Sequence, residues 1–233
     1  MRILVLCGDY WHPKEDVVRG LTPVFKPEWH IDFTTNVEEL NAKKLANYDV
    51  VMITKADEIA PDNYQVWKTD ENQSVLVKYV EGGGGLFVLH AGTVSGKNTE
   101  IFDQLVGCRF LYHPRDSAVT VAPLKPHPIC EGVKPFTEID EHYWIDILRS
   151  DVDVIFASSS PAQGVKEKYE TEPYDNCPTT VYPSGYTRTQ GKGRICVLTP
   201  GHRLPVWHHE QYQKAIKNAL NWLTFMTSGD DTK

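Results

Sequence analysis

Gly82 to Gly96 reads GGGGLFVLHAGTVSG, and this stretch decides the fold. Four glycines lead into a continuous apolar run, Leu86-Phe87-Val88-Leu89, which stops at His90. A short apolar run bounded by glycines predicts a strand covered on both faces. The Ala91-Gly92 pair that follows lets the chain bend sharply, so that the side chain before it projects from the strand end. Many α/β enzymes place a reactive Cys or Ser at such a bend. Here the position is a histidine.

Similar runs punctuate the rest of the chain: Ile3–Cys7, Ile31–Thr34, Val50–Thr54, Val119–Ala122, Val154–Ala157 and Ile195–Leu198. Most are continuous rather than alternating, the pattern of parallel strands. Helical stretches lie between several of them. Asn72–Glu81 predicts a helix ended by the glycine run. From His209 to Met226 the residues Tyr212, Ala215, Ile216, Ala219, Leu223 and Met226 recur at helical spacing, with Gln213, Lys214, Lys217 and Asn218 on the polar face. Strands alternating with helices predict a doubly wound, mostly parallel sheet. Between Tyr112 and Tyr186 helical periodicity is scarce and prolines are common, which predicts strands and long loops, an antiparallel extension of that sheet. Ser158–Pro183 reads as a surface excursion. Thr227–Lys233 is a polar tail, leaving residues 1–226 as a single domain.

With 24 Lys+Arg against 31 Asp+Glu, the 233-residue chain carries a net charge of -7 and has no basic cluster to track a phosphate backbone. Nucleic acid is therefore not an expected partner. The five cysteines are scattered and form no C-x-x-C pair, which argues against a zinc knuckle or redox motif. Met1-Arg2 leads into ILVLC, too short for a signal sequence or a membrane span. A cytoplasmic protein without membrane attachment is the expectation. Six Trp and eleven Tyr leave room for a homo-oligomer.

Ligands of open α/β sheets bind beyond the carboxyl ends of the parallel strands. That rule selects Cys7–His12, Lys55–Glu58, His90–Gly92 and Thr199–His202. Ala91 to Asn98 superficially resembles a phosphate-binding loop. Only three residues separate Gly92 from Gly96, and Asn98 stands where a Ser/Thr hydroxyl belongs, so nucleotide binding is not expected.

The GGGGLFVLHAG stretch resembles the elbow of class I glutamine amidotransferases, in which a Cys followed by x-Gly closes the strand. None of the five cysteines occupies such a place, so glutamine hydrolysis through a thiolate is not expected. A His at this position is typical of the trehalose-utilisation (ThuA-like) family, a branch of that fold. HPICEGV (127–133), FTEIDEHYW (136–144), TRTQGKGRICVLTPGH (187–202) and KAIKNALNW (214–222) resemble further family segments, in order along the chain. The resemblance implies a flavodoxin-like three-layer fold and carbohydrate metabolism. Some members accompany enzymes of oxidised disaccharides, so a sugar or keto-sugar derivative is the implied substrate.

The candidate site residues follow. His90 and His202 each end a strand, and Glu141 lies in the acidic IDEHYW stretch, where alternation puts Glu141 and Tyr143 opposite Asp140 and His142. One carboxylate with two histidines serves acid–base catalysis, or holds Zn²⁺ or a similar divalent ion. Both readings stand. Asp9, Trp11 and His12 suit a sugar, whose hydroxyls take hydrogen bonds while its C–H face packs on an indole. The same residues read equally as a loop before a helix. Tyr143 and Arg188 complete the expected substrate-binding set, Arg188 flanking a Gly turn where it binds an anion or merely solvates a hairpin. His208-His209 reads as a helix start, and His113 and His127, each before Pro, give no site signal. The competing reading is a non-catalytic sugar-binding protein on the same fold.

Overall fold

The computed structural model describes residues 1–61, 63–161 and 179–224. The strands are β1 Arg2–Leu6, β2 His30–Thr34, β3 Val50–Ile53, β4 Glu58–Ala60, β5 Asn63–Val66, β6 Gly85–Leu89, β7 Cys108–Tyr112, β8 Ser117–Pro123, β9 Phe136–Asp140, β10 Trp144–Ile147, β11 Asp153–Pro161, β12 Thr179–Gln190 and β13 Gly193–Leu198. The helices are α1 Lys14–Leu21, α2 Ala42–Leu45, α3 Asp70–Glu81, α4 Glu100–Val106, α5 Leu204–His208 and α6 Glu210–Leu223.

Nine strands form one sheet in the order β2-β1-β3-β6-β13-β12-β11-β8-β9. The first five are mutually parallel, and the remaining neighbours pair antiparallel. The parallel part has the flavodoxin-like order 2-1-3-4-5 when its strands are counted along the chain. Its continuous apolar runs are explained by cover on both sides. Ile3, Val5, Phe87 and Leu89 join Ile216, Ala219 and Leu220 of α6 in one core. Leu4, Leu6, Leu86 and Val88 face the other way and join Leu76 and Val80 of α3 and Phe102 of α4. The result is a three-layer α/β fold.

All seven predicted strands exist, and the two predicted helices correspond to α3 and α6. The latter ends at Leu223 with Thr224 as its cap, short of the predicted extension; residues 225–226 and the tail Thr227–Lys233 lie outside the described residues. The surface excursion over Ser158–Pro183 needs correcting at both ends. Ser158–Pro161 completes β11 and Thr179–Pro183 begins β12, two strands paired directly with each other; residues 162–178 lie outside the described ones. Small and polar residues concealed these strand ends, because the hydroxyls of Ser158 and Ser160 are buried in the sheet rather than exposed. Among the described residues, no helix is long and apolar enough to cross a membrane.

Candidate metal centre

The loop after β1 is built around Asp9. Its Oδ1 accepts the backbone N–H groups of Trp11 and His12, both at 2.9 Å, and its Oδ2 accepts that of Ala56 at 2.8 Å. The same Oδ1 lies 2.8 Å from His12 Nδ1. An ionised carboxylate only accepts, so Nδ1 carries the hydrogen and the lone pair of Nε2 faces away from Asp9. Burial opposes ionisation of Asp9, but the contacts with His12 and the backbone outweigh it and hold its carboxyl below the usual range. Burial is also the largest influence on His12, whose pKa falls despite Asp9, with His90 and His202 adding to the fall. His12 is thus kept as a neutral imidazole whose Nε2 lone pair faces His202.

His90 closes β6 at a φ of 42°, a left-handed conformation seldom adopted outside glycine. The turn His90–Thr93 that follows is tight: a Cβ on Gly92 would lie 2.2 Å from the carbonyl oxygen of Ile53. Thr93 Oγ1 bonds back to the His90 carbonyl at 2.7 Å. The ring is fixed from behind, its Nδ1 donating to the Thr199 carbonyl at 2.8 Å. Its Nε2 is buried without a hydrogen-bond partner, although Glu141 Oε2 lies 3.3 Å away. A ring lone pair facing a carboxylate oxygen is repulsive unless a proton or a cation lies between them.

Two acidic neighbours at the end of β9 do different work. Asp140 is 1% exposed and caps the turn after β13, accepting the N–H groups of Gly201 (2.8 Å), His202 (2.9 Å) and Arg203 (3.2 Å). Burial raises its pKa, and His90 and those three N–H groups only partly offset the rise. Glu141 points the other way, with Oε2 3.2 Å from His202 Nδ1. Burial pushes its pKa up, but His202 and His90 more than reverse this and hold it far below the usual carboxylate range. His202 is shifted upward, since its pairing with Glu141 outweighs burial.

Four side chains therefore converge from four strand ends: His12, His90, Glu141 and His202, each offering one ligand atom, all within 4.8 Å of one another. His12 Nε2 and His202 Nδ1 are 3.1 Å apart. With the 3.2 and 3.3 Å separations to Glu141, three of the six separations among the ligand atoms lie near the roughly 3.3 Å edge of a tetrahedron with metal–ligand bonds of about 2.0–2.1 Å. The remaining nitrogens of His12 and His90 are held by Asp9 and the Thr199 carbonyl, the outer-shell arrangement typical of metal-bound imidazoles. The donor set fits Zn²⁺ or another divalent transition ion.

The structure brings His90, Glu141 and His202 together. It also places His12, expected as a substrate contact, within the same cluster. Asp9 supports His12 rather than facing a ligand. Tyr143 is buried, its ring stacked on His90 at a centroid distance of 4.0 Å. Trp11 is 40% exposed beside the site and Tyr10, edge-on to it at 5.6 Å, is 66% exposed. Arg188 is elsewhere. It is buried on β12, bonded to the Leu105 carbonyl, Asp151 and Gln190, and so braces α4 to the sheet instead of reaching the crevice. His113 stands 3.6 Å from Glu141 Oε1, a place its His-Pro context gave no hint of. His209 caps α6 and His208 bonds the Arg19 carbonyl, away from the cluster.

The family model for trehalose utilisation (ThuA) matches residues 2–223. No curated protein matches the chain. Among solved structures, a ThuA-like protein of Bacteroides uniformis ATCC 8492 superposes with a TM-score of 0.70 at 19% identity, covering 96% of this chain and 91% of its own. One from Parabacteroides merdae ATCC 43184 gives 0.70 at 15% identity, covering 98% and 91%. A cytoplasmic protein of Salmonella typhimurium LT2 gives 0.60 at 14% identity, covering 96% and 99%. These likenesses carry the fold, while the match from β1 to the end of α6 carries the lineage: the chain belongs to the ThuA, or trehalose utilisation, family.

Proposed function

We propose that this chain is a divalent-metal-dependent enzyme acting on a sugar or keto-sugar derivative, with His12, His90, His202 and Glu141 as its metal ligands. The observation that carries this reading is the mutual approach of four ligand atoms, two of whose rings are already committed through their other nitrogen. A purely acid–base site has no need for two imidazole nitrogens 3.1 Å apart, nor for a buried His90 Nε2 without a partner. A bound divalent ion would supply Lewis acidity toward a carbonyl or hydroxyl oxygen, or a water of lowered pKa.

The chain's own groups divide the remaining work. Asp9 keeps the proton on His12 Nδ1, and the Thr199 carbonyl keeps it on His90 Nδ1. Tyr143 seals the back of His90 from water. Glu141 Oε2 faces the histidines while Oε1 points toward His113, where the ionised carboxylate can accept a hydrogen bond from the substrate. Trp11 offers an apolar face to the C–H side of a sugar ring at the mouth. The family description, trehalose utilisation, supports a carbohydrate substrate, and the cysteines among the described residues, free and buried, accord with a cytoplasmic location.

The test is a panel of sugars and keto-sugars offered to zinc-loaded, manganese-loaded and chelator-stripped protein. Conversion confined to a metal-loaded form and lost in His90→Ala is the expected result. Conversion that persists unchanged in stripped protein would remove the metal from the account. Metal-dependent sugar binding without any turnover would instead favour a binding protein.

A further inference from the structure

Behind the elbow the chain buries charge where apolar side chains would suffice. Lys68 is 1% exposed, and its Nζ lies 4.2 Å from the centre of the Phe102 ring. An ammonium group has three N–H donors and no acceptor. Those of Lys68 fall on one short stretch of chain: the Gly92 carbonyl at 3.1 Å, the Val94 carbonyl at 2.7 Å and Ser95 Oγ at 3.4 Å. Two buried carboxylates grip the same stretch. Asp57, in the loop after β3, accepts the backbone N–H groups of Lys68 at 2.8 Å and Gly96 at 3.0 Å. Asp103 of α4 accepts the Ser95 hydroxyl at 2.8 Å. None of the three belongs to the histidine–glutamate cluster.

Burying charge is costly, and a well-packed hydrophobic filling is often as stable. What these charges hold is therefore informative. Residues 92–96 follow closely on His90, whose left-handed φ of 42° persists only where the surroundings over-determine it. The bonds within the turn are local: Thr93 Oγ1 donates to the His90 carbonyl, and the Val94 N–H to the Ala91 carbonyl at 3.0 Å. They set the shape of the turn without fixing how it sits on the sheet. Lys68 supplies the outside hold. Its own backbone is fixed in turn, since its carbonyl accepts from Gln73 Nε2 of α3 at 2.8 Å. With the carbonyls of Gly92 and Val94 drawn to one ammonium, their two peptide planes cannot turn independently.

We infer that Lys68 is a positioning residue for the metal centre: it ties the elbow to the layer of α3 and α4 so that His90 Nε2 stays within the ligand set. The inference rests on the proposed metal-dependent function and deepens it. Lys68 touches neither metal nor substrate. It acts through the Gly92 and Val94 carbonyls on the ring that precedes them, while Asp57 and Asp103 offset its charge.

Competition of native protein, Lys68→Met and Leu76→Ala against a zinc chelator of known affinity tests this. Lys68→Met keeps an unbranched side chain but removes all three donors. It should bind zinc about tenfold more weakly, the lower end of losses for outer-shell support. The visible absorption of its cobalt form should also differ from that of native protein. Leu76→Ala opens a cavity in the same core layer and costs stability. It should nevertheless leave zinc affinity within about twofold and the cobalt spectrum unchanged. In metal-free protein the Val94 amide should exchange at least about tenfold faster in Lys68→Met than in the native chain. Should Lys68→Met not fold, Ser95→Ala, which removes one of the acceptors, takes its place with an expected loss of about two- to fivefold in zinc affinity. Native zinc affinity and a native cobalt spectrum in the variant, or an equal loss in Leu76→Ala, overturn the positioning role and leave the metal centre standing. Native protein that binds neither zinc nor cobalt overturns the proposed function. Val94 exchange then decides the hold on the elbow by itself: faster exchange in the variant supports it, and an unchanged rate overturns it.

Discussion

Asp9 Oδ1 lies 2.8 Å from His12 Nδ1, and this contact decides which nitrogen of His12 faces the cluster. The Asp9 side chain is fully buried, and the backbone bonds it accepts from Trp11, His12 and Ala56 leave it no freedom to turn away. A group that acts through a ligand rather than as one can be removed without emptying the site. Asp9→Asn preserves shape and acceptor oxygen but loses the charge that raises the basicity of His12. Metal affinity should drop about 10–100-fold, measured by competition against a chelator of known affinity. An unchanged affinity would show that Asp9 only shapes the loop.

Asp140 has the opposite profile, a buried carboxylate spent on backbone. Asp140→Ala leaves the N–H groups of Gly201, His202 and Arg203 without their acceptor. At about 1–3 kcal/mol for a buried donor left unpaired, unfolding in urea should show a loss of at least about 2 kcal/mol. Asp140→Asn should recover part of it through its amide oxygen. An alanine variant as stable as the native chain would contradict this assignment.

The elbow makes a steric prediction. With a Cβ at Gly92 placed 2.2 Å from the Ile53 carbonyl oxygen, part of the β3 backbone and not a movable side chain, Gly92→Ala must force the strands apart. A thermal melt should show a large fall in Tm or no cooperative transition. Retention of the native Tm would mean that the turn is looser than its geometry implies.

Lys68, fully enclosed behind the same turn, gives a pH signature. Its Nζ bonds the carbonyls of Gly92 (3.1 Å) and Val94 (2.7 Å), yet burial pushes its pKa down to about 8 from 10.5. Below pH 8 the lysine is protonated folded and unfolded alike, so the cost of burying the charge is felt in full. Between about 8 and 10.5 the unfolded chain binds the proton more tightly, and stability contributed by this group rises with pH. The rise is on the order of 3 kcal/mol at most. Comparing the slope of unfolding free energy with pH from 7.5 to 10.5 (roughly this window) in native protein and Lys68→Met isolates it. Equal slopes would refute it.

The fold was legible because its parallel strands are buried on both faces and advertise themselves as unbroken apolar runs. The antiparallel end was less so, since Ser158 and Ser160 bury hydroxyls where apolar side chains would have marked a strand. At the site, strand-end position and residue chemistry were enough to select His90, Glu141 and His202. His12 was seen as a residue of the crevice but not as a member of this cluster, because its place there depends on the ring orientation that Asp9 imposes across three residues. His113 was invisible for a different reason: a His before Pro signals a loop, and only the pairing of β7 with β10 carries that loop to Glu141. Arg188 misled because a basic residue near a Gly turn looks solvent-facing, whereas its guanidinium is drawn inward by the Leu105 carbonyl at the end of α4.

We propose that His12, His90, Glu141 and His202 together hold one metal ion. The most direct test is zinc titration of tag-free, chelator-stripped protein by calorimetry, with metal content read by mass spectrometry, for native chain, His90→Ala and Glu141→Gln. We expect one equivalent bound by native protein, an affinity reduced at least about 100-fold in His90→Ala, and a smaller loss in Glu141→Gln. Native protein that binds no zinc, manganese, iron or nickel, or a His90→Ala variant that binds as tightly as the native chain, would contradict it.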